Sequence, residues 1–405
     1  MVGCPELGIA RSSVPAGYGV SCVDPFGPYR KWGTVKRPPI RVVDLSGSPS
    51  ELGRRHGLAH AEEIRAYTSD RVALVAGGRW IDGPIPTADV LDIAESMLGA
   101  HEEFHPGLHA EMMAMADAVG ITAAEAIVVG GFTDFVDTVR AVVGGDHPAT
   151  VIEDDCTAVI VPDSRGDEAD DGRNGYYGQT WDMHDTATEF VVLLRLTPSD
   201  APAALVFTTT GCLGQIGMNE LGVCVGINNL ICTDGTRGVT WPSVVRAMLE
   251  RESADDALNV LLAADLAGAH NYLILDSDGV GYNVEAMPTA RVVTKLDADP
   301  LIHTNHVLHD EARAVEGKRD HALMASSAAR LARATELLAD GPIDAERLFE
   351  LTRDPESICQ VPFDPYRIES SGAAVMRPAS GDFWACWGPP SDNEYQHIAM
   401  PTTGR

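Results

Sequence analysis

The sequence predicts an α+β fold in which antiparallel sheets are layered with helices behind a mainly helical N-terminal segment. Three observations predict it. Helical periodicity dominates from about residue 48 to about 142. From Cys156 onward, short apolar runs of strand type alternate with turn clusters. Helical stretches then return twice among those strands, enough to cover sheet faces.

Residues 1–38 are rich in Gly, Pro and Ser and read as an irregular arm. IRVVDLSG, 40–47, reads as a short strand. SPSE follows, with Ser48 as N-cap, Pro49 at the first helical position and Glu51 closing a capping box. The helix runs on through LGRRHGLAHAEEIRAY. Further helices are expected at 87–100, 106–119 and 122–142, the last opened by a second box, Thr122 to Glu125. Beyond Cys156 the strand runs are TAVIVP, YYGQTWDM, FVVLLRLTP, ALVFTTTG and LGVCVGIN, the first two joined by the charged hairpin loop SRGDEADDGRNG. A helical stretch, WPSVVRAMLERESADDALNVLLAA, precedes a hairpin, NYLILDSDGVGYNVEAMP, with a DSDG turn. HDEARAVEGKRDHALMASSAARLARATELLA returns to helix, and AAVMRP and DFWACWG close the chain as strands. The division is then an arm at 1–38, a helical α segment at 39–155, and a β segment at 156–405 that carries the chemistry.

Of the 405 residues 45% are hydrophobic and 22% charged, as in an ordinary globular chain, so a sizeable core is within reach. The formal net charge of −29 argues against nucleic acid or an anionic membrane as partner, because phosphates would be repelled. The N-terminus has no basic region followed by an apolar one, and no apolar run approaches the roughly 18 residues that span a bilayer. The eight cysteines are scattered without a CxxC pair, which fits free thiols and a cytoplasmic location. His303, His306 and His309 invite a metal reading. Their spacing across a strand and loop does not converge as HExxH does on a helix, and no metal is expected.

One thiol stands apart. In EDDCTAVIVPDS, Glu153 to Ser164, Cys156 opens a strand instead of sitting inside its apolar run. It could be a core thiol, the common fate of a lone cysteine. It could be a nucleophile paired with a distant histidine. Or it could be a latent N-terminal nucleophile: once the bond before it is cut, its own α-amine serves as general base. Such amines titrate at about 7.7–8.0, close to working pH.

The motifs that follow carry a resemblance. Cys156-Thr157, then GQTWD (Gly178 to Asp182), GMNELGVCVGINN (Gly217 to Asn229) and HTNHVL (His303 to Leu308), in that order, resemble the isopenicillin N acyltransferase family of self-processing Ntn hydrolases. The pattern is more distantly similar to the choloylglycine hydrolases. SPSELGRRHG resembles the start of that family's propeptide. The resemblance implies an αββα sandwich of antiparallel sheets and autoproteolysis at Asp155–Cys156. Cys156 would be the nucleophile and Asp182 the holder of its α-amine. Asn228 and Asn305 would be amides near the sulfur, suited to an oxyanion. Arg330, in SSAAR, matches a basic residue near the nucleophile, and Gln179 and Thr157 support the site. Asn229 competes with Asn228 for its match.

Two positions depart from the pattern. Asp155 stands where the best-known relatives carry glycine, which eases the backbone strain of an N-to-S acyl shift. An aspartate there is expected to slow cleavage, or to bring a carboxylate to the thiol. Gln179 stands where choloylglycine hydrolases have arginine, which points away from bile-acid substrates. The expected activity is hydrolysis of a small N-acyl or N-aminoacyl amide through a thioester. The alternatives are acyl transfer from a coenzyme A thioester, bound only as co-substrate, to a β-lactam-like acceptor, or an unprocessed binding protein of the same fold. No resident cofactor is implied, and the α segment is expected to stay bound after cleavage.

Overall fold

The computed structural model describes residues 36–144, 155–166, 173–362 and 366–401. Nearly all of the expected arm at 1–38, the acids Glu153 and Asp154, half of the SRGDEADDGRNG loop, and Cys4 and Cys22 lie outside them. The N-terminal part runs β1 (Val42–Gly47), α1 (Pro49–Ala59), α2 (Ala61–Ala76), α3 (Thr87–Glu95), α4 (Leu98–Phe104), α5 (Pro106–Val119), α6 (Ala123–Gly130) and α7 (Phe132–Val143). The rest begins with β2 (Ala158–Val161), β3 (Tyr176–His184), β4 (Val191–Pro198), β5 (Ala204–Thr209), β6 (Ile216–Asn219) and β7 (Cys224–Asn229). Then come α8 (Trp241–Met248), α9 (Ala254–Ala263), β8 (His270–Leu275), β9 (Gly281–Ala286), β10 (Arg291–Lys295) and β11 (Leu301–His303). The chain ends with α10 (Asp310–Arg313), α11 (His321–Leu337), α12 (Ala345–Thr352), β12 (Ile368–Arg377), β13 (Asp382–Trp387) and β14 (Gln396–His397).

The strands form an eight-stranded sheet, ordered β1-β4-β5-β6-β7-β8-β9-β10, and a six-stranded sheet, ordered β11-β2-β3-β12-β13-β14. Period-two alternation sorts their side chains into layers. On β2, Ala158 and Ile160 join Tyr177, Trp181, Leu193, Phe207, Cys224 and Leu273 in the apolar layer between the sheets. Val159 and Val161 face the other way, onto Ala334 of α11 and Leu348 and Phe349 of α12. The outer face of the larger sheet, with Val192, Leu194, Val225 and Ile227, is covered by Val244, Val245 and Met248 of α8 and Leu261 of α9. Helix, sheet, sheet, helix: the chain is an αββα sandwich. Helices α2 to α7 add a cluster of their own, around Ile64, Val90, Met115, Ile127 and Phe135.

Several expectations need correction. Among the described residues the paired strands are antiparallel except for β1, which runs parallel to β4, with Val42 opposite Leu193. A parallel neighbour needs a long crossover, and the helical segment supplies it. The helices read as continuous are broken, at His60 between α1 and α2, after Glu95, at Gly131, and before Ser253, which caps α9 by accepting from the Asp256 amide. Strands β6, β10, β11 and β14 and helix α12 were not marked by periodicity, being short or half exposed. Both capping boxes form. The Glu125 carboxylate accepts from the Thr122 amide at 2.7 Å while Thr122 Oγ1 accepts from the Glu125 amide at 3.2 Å, and Glu51 accepts from the Ser48 amide at 2.8 Å.

The SELGRRHG stretch has a packing reason. A Cβ on Gly53 would lie 1.8 Å from the carbonyl oxygen of Glu111 on α5, so α1 reaches α5 only through a bare backbone. Buried His56 accepts the Gly211 amide at 3.1 Å, and burial holds its pKa down at about 3, as a neutral acceptor. Gly53→Ala forces backbone apart and is expected to destabilise the fold by about 1–3 kcal/mol, read as a lower urea midpoint.

Candidate active site

The site is built where β2 begins. Cys156 is 1% exposed and belongs to the inter-sheet layer. Its neighbours extend the β2–β3 ladder: the Asp155 amide donates to the Asp182 carbonyl at 2.9 Å and the Thr180 amide to the Thr157 carbonyl at 2.9 Å. The Cys156 carbonyl is gripped from two layers, by Arg330 Nη1 of α11 at 2.5 Å and by Asn228 Nδ2 of β7 at 3.3 Å. Residues 155 and 156 are therefore tied to both sheets and one helix.

Arg330, fully buried, links most of the residues singled out from the sequence. It donates to the Asp155 carboxylate, the Cys156 carbonyl, Thr157 Oγ1 at 3.1 Å and Asn305 Oδ1 at 3.1 Å. Asn305, just after β11, donates its own amide to the Asn229 carbonyl at 3.0 Å. Adjacent residues on β7 thus part company by strand alternation. Asn228 offers its side chain to Cys156, whereas Asn229 offers its main chain to Asn305. Asn271 steadies Asn228 by donating to its Oδ1 at 3.3 Å and to Asn283 at 2.8 Å.

Asp182 lies across the strand pair from Asp155, fully buried. Ser370 Oγ donates to it at 2.6 Å and Thr180 Oγ1 at 3.2 Å. Burial pushes its carboxyl up to about 8; Arg330, Ser370 and Thr180 oppose the rise, and Asp155 adds to it. Gln179 takes a different position, without a bond to the others. It donates to the Ile227 carbonyl and accepts from Tyr177 Oη in the layer between the sheets. Gly226 makes room for that pair, since a Cβ there would meet Tyr177 Oη at 1.9 Å.

Two residues of the site had no sequence signal. Arg319, before α11, donates to Asp155 Oδ1 at 3.1 Å, and Ser326 Oγ donates to Oδ2 at 2.8 Å. The Asp155 carboxylate is therefore committed to α11 and the loop before it. The expectation that it reaches the thiol is corrected. The histidines are committed as well. His303 spends one ring nitrogen on Glu285 at 2.9 Å and the other on the Thr304 carbonyl at 2.7 Å. Glu285 also accepts from the Leu308 amide and His309 Nδ1. Burial works upward on this carboxyl, but the His303 bond and the Leu308 and His309 amides outweigh it and hold it at about 2. His306 is held down at about 4, by burial and then by the positive groups around it.

Two clefts reach strands that carry site residues, one at β3 and the other at the end of β7. Trp181, Met183, Tyr67, Phe132 and Trp241 line one, and Asn229, Leu230, Trp80, Phe132 and Asp137 line the other. Both are largely apolar, as small-molecule sites are. The six described cysteines form no disulfide among themselves.

The raised Asp182 pKa has a measurable consequence. The folded chain holds that proton up to about pH 8, whereas an unfolded aspartate releases it near 3.9. Stability from this group is complete below the unfolded value and is lost as pH rises towards 8. In a Cys156→Ala chain, Asp182→Asn is expected to flatten the decline in urea midpoint between pH 5 and pH 8. Equal slopes in both chains would contradict it.

Comparison with known proteins bears on this arrangement. The family described as acyl-coenzyme A:6-aminopenicillanic acid acyl-transferase matches residues 168–392, a stretch that begins after Cys156 and holds Asp182, Asn228, Asn305 and Arg330. Over 269 residues, 66% of this chain and 69% of the relative, the sequence is 23% identical to the acyl-coenzyme A:6-aminopenicillanic-acid-acyltransferase 40 kDa form of Emericella nidulans. Among solved structures, a conjugated bile acid hydrolase mutant from Clostridium perfringens aligns with 12% identity and a TM-score of 0.43, over 60% of this chain and 92% of its own. Penicillin V acylase from Agrobacterium tumefaciens aligns with 13% identity and a TM-score of 0.30, over 61% and 80%. The family match alone spans more than half of the sequence, and the chain belongs to the acyl-coenzyme A:6-aminopenicillanic acid acyl-transferase family.

Proposed function

We propose that the chain cuts its own Asp155–Cys156 bond and then uses Cys156 as an N-terminal nucleophile to hydrolyse a small N-acyl or N-aminoacyl amide. The observation that carries this reading is the placement of Cys156. It opens a strand in the layer between two sheets, with Asp182 across the ladder and Asn228 and Arg330 fixing its carbonyl.

In self-cleavage the sulfur attacks the Asp155 carbonyl, the C–N bond breaks, and the freed nitrogen takes a proton as it becomes the α-amine. Water then opens the thioester and leaves Asp155 with a new carboxylate. The neutral amine so produced donates a hydrogen bond to the Asp182 carboxyl, which turns its lone pair towards the thiol. In turnover the amine takes the thiol proton, sulfur attacks the substrate carbonyl, and the amine returns the proton to the leaving nitrogen. An amide nitrogen carries two hydrogens. Asn305 spends one on Asn229 and brings the other to the oxyanion, with Asn228 beside it. Water as acceptor gives the acid; an amine acceptor gives transfer, so a coenzyme A thioester donor and a β-lactam-like acceptor use the same residues. That transfer is the reaction for which the curated relative is named.

The α and β segments stay together after cleavage on this reading. The β1–β4 ladder crosses between them, and so does the buried pair of Glu111 on α5 and Arg246 on α8, at 2.9 and 3.1 Å. Separating them would strand a buried charge, at a cost of about 3–5 kcal/mol. The acidity of the chain keeps nucleic acid and anionic membranes out of its partners, no resident cofactor takes part, and the scattered thiols suit the cytoplasm. Among the described residues no single helix is long and apolar enough to cross a membrane.

Intact mass under denaturing conditions tests the reading. Wild type is expected as two fragments meeting at Asp155/Cys156, and Cys156→Ala as one full-length species. One full-length species in both would overturn self-cleavage and favour the binding-protein alternative. His306→Gln is expected to keep turnover within about threefold of wild type, since the α-amine is the base. A loss of about a hundredfold or more, the scale of a missing general base, would point to a conventional cysteine–histidine pair.

A further inference from the structure

The carboxylate of Asp155 occupies a built anion site. Its walls are Arg319, with a side chain 3% exposed, fully buried Arg330, and Ser326. Each carboxylate oxygen is bonded: Oδ1 by both guanidinium groups and Oδ2 by the hydroxyl. These groups are all donors and two of them are cationic, so a carboxylate standing where that of Asp155 stands meets charge-assisted hydrogen bonds.

Resting on the proposed self-cleavage, we infer that this site becomes the acyl-group pocket of the processed protein, and that its preferred substrates are succinyl or aspartyl amides. The reasoning is by position. The Asp155 carbonyl carbon is the atom Cys156 must attack, so the self-cleavage thioester is itself an acyl-enzyme whose acyl group is an aspartyl residue. In that group two carbons separate the carbonyl from the carboxylate, as they do in a succinyl chain. A substrate acyl group that puts its carbonyl on the same sulfur puts its own carboxylate between Arg319 and Arg330. The chemistry balances: sulfur displaces the amine, which leaves with the thiol proton, and water cleaves the thioester to release the dicarboxylic acid and restore the thiol. Asp155, now at the end of the α segment, must move out for the substrate to enter.

The test uses self-cleaved wild-type protein, confirmed by mass, with succinyl and butyryl p-nitroanilides, which are close in shape but differ in charge. The succinyl substrate is expected to be favoured at least about tenfold in kcat/KM. Arg319→Met is expected to bring the ratio close to one. Ser326→Ala, which keeps both guanidinium groups, covers the case in which Arg319→Met does not fold, and should lower the ratio by less. Succinate is also expected to raise the Tm of the processed protein where butyrate does not, a readout that needs no turnover. Fragments with equal use of both substrates, or with no response to succinate, would overturn the pocket and leave self-cleavage standing. Absence of fragments would remove both readings.

Discussion

The site depends on one buried guanidinium. Removing an arginine from water costs several kcal/mol unless its donors are met. Arg330 meets that requirement with the Asp155 carboxylate, the Cys156 carbonyl, Thr157 Oγ1 and Asn305 Oδ1. Those acceptors come from the segment leading into β2 and from the turn after β11. A helix of the outer layer thereby fixes the register of the strand end where the chemistry would occur. The arrangement is mutual: without those acceptors the charge could not be buried, and without the charge Thr157 Oγ1 and Asn305 Oδ1 would lose the donor they share.

Strand alternation divides the labour around Cys156. Its side chain shares the inter-sheet layer with Ala158 and Ile160, while Thr157 turns to Arg330 on the other face. The residues on either side of Cys156 bond to β3, with the Asp155 amide on the Asp182 carbonyl. The sulfur of Cys156 and the carbonyl of Asp182 are thereby placed by backbone geometry more than by side-chain reach. The polar chain of Asn283, Asn271 and Asn228 extends the same order across the second sheet.

Local physics made part of this legible in the sequence. Ser48 and Thr122 announced their helices because a cap is satisfied within four residues, and the strands from Cys156 onward showed their apolar runs directly. The order of Cys156, Asp182, Asn228 and Asn305 pointed to the family and to residues that the fold brings close. What stayed hidden depends on contacts distant along the chain. Nothing near Arg319 or Ser326 marks them, because their partner Asp155 lies more than 160 residues away. The break at His60 has no glycine or proline to announce it. The parallel pairing of β1 with β4 depends on where the whole helical segment returns, and β11 is only three residues long. Asp155 itself looked like a liability for cleavage; its meaning emerged only with the cations around it.

The most direct test of the central claim, that Cys156 carries the acyl group, is a trapped intermediate. Processed protein mixed briefly with an activated acyl ester and quenched in acid would be mapped by peptide mass. The account predicts the acyl mass on the fragment that begins at Cys156, located on its sulfur and removed by neutral hydroxylamine. An acyl group on any other residue, or continued turnover in a Cys156→Ala chain, would contradict it.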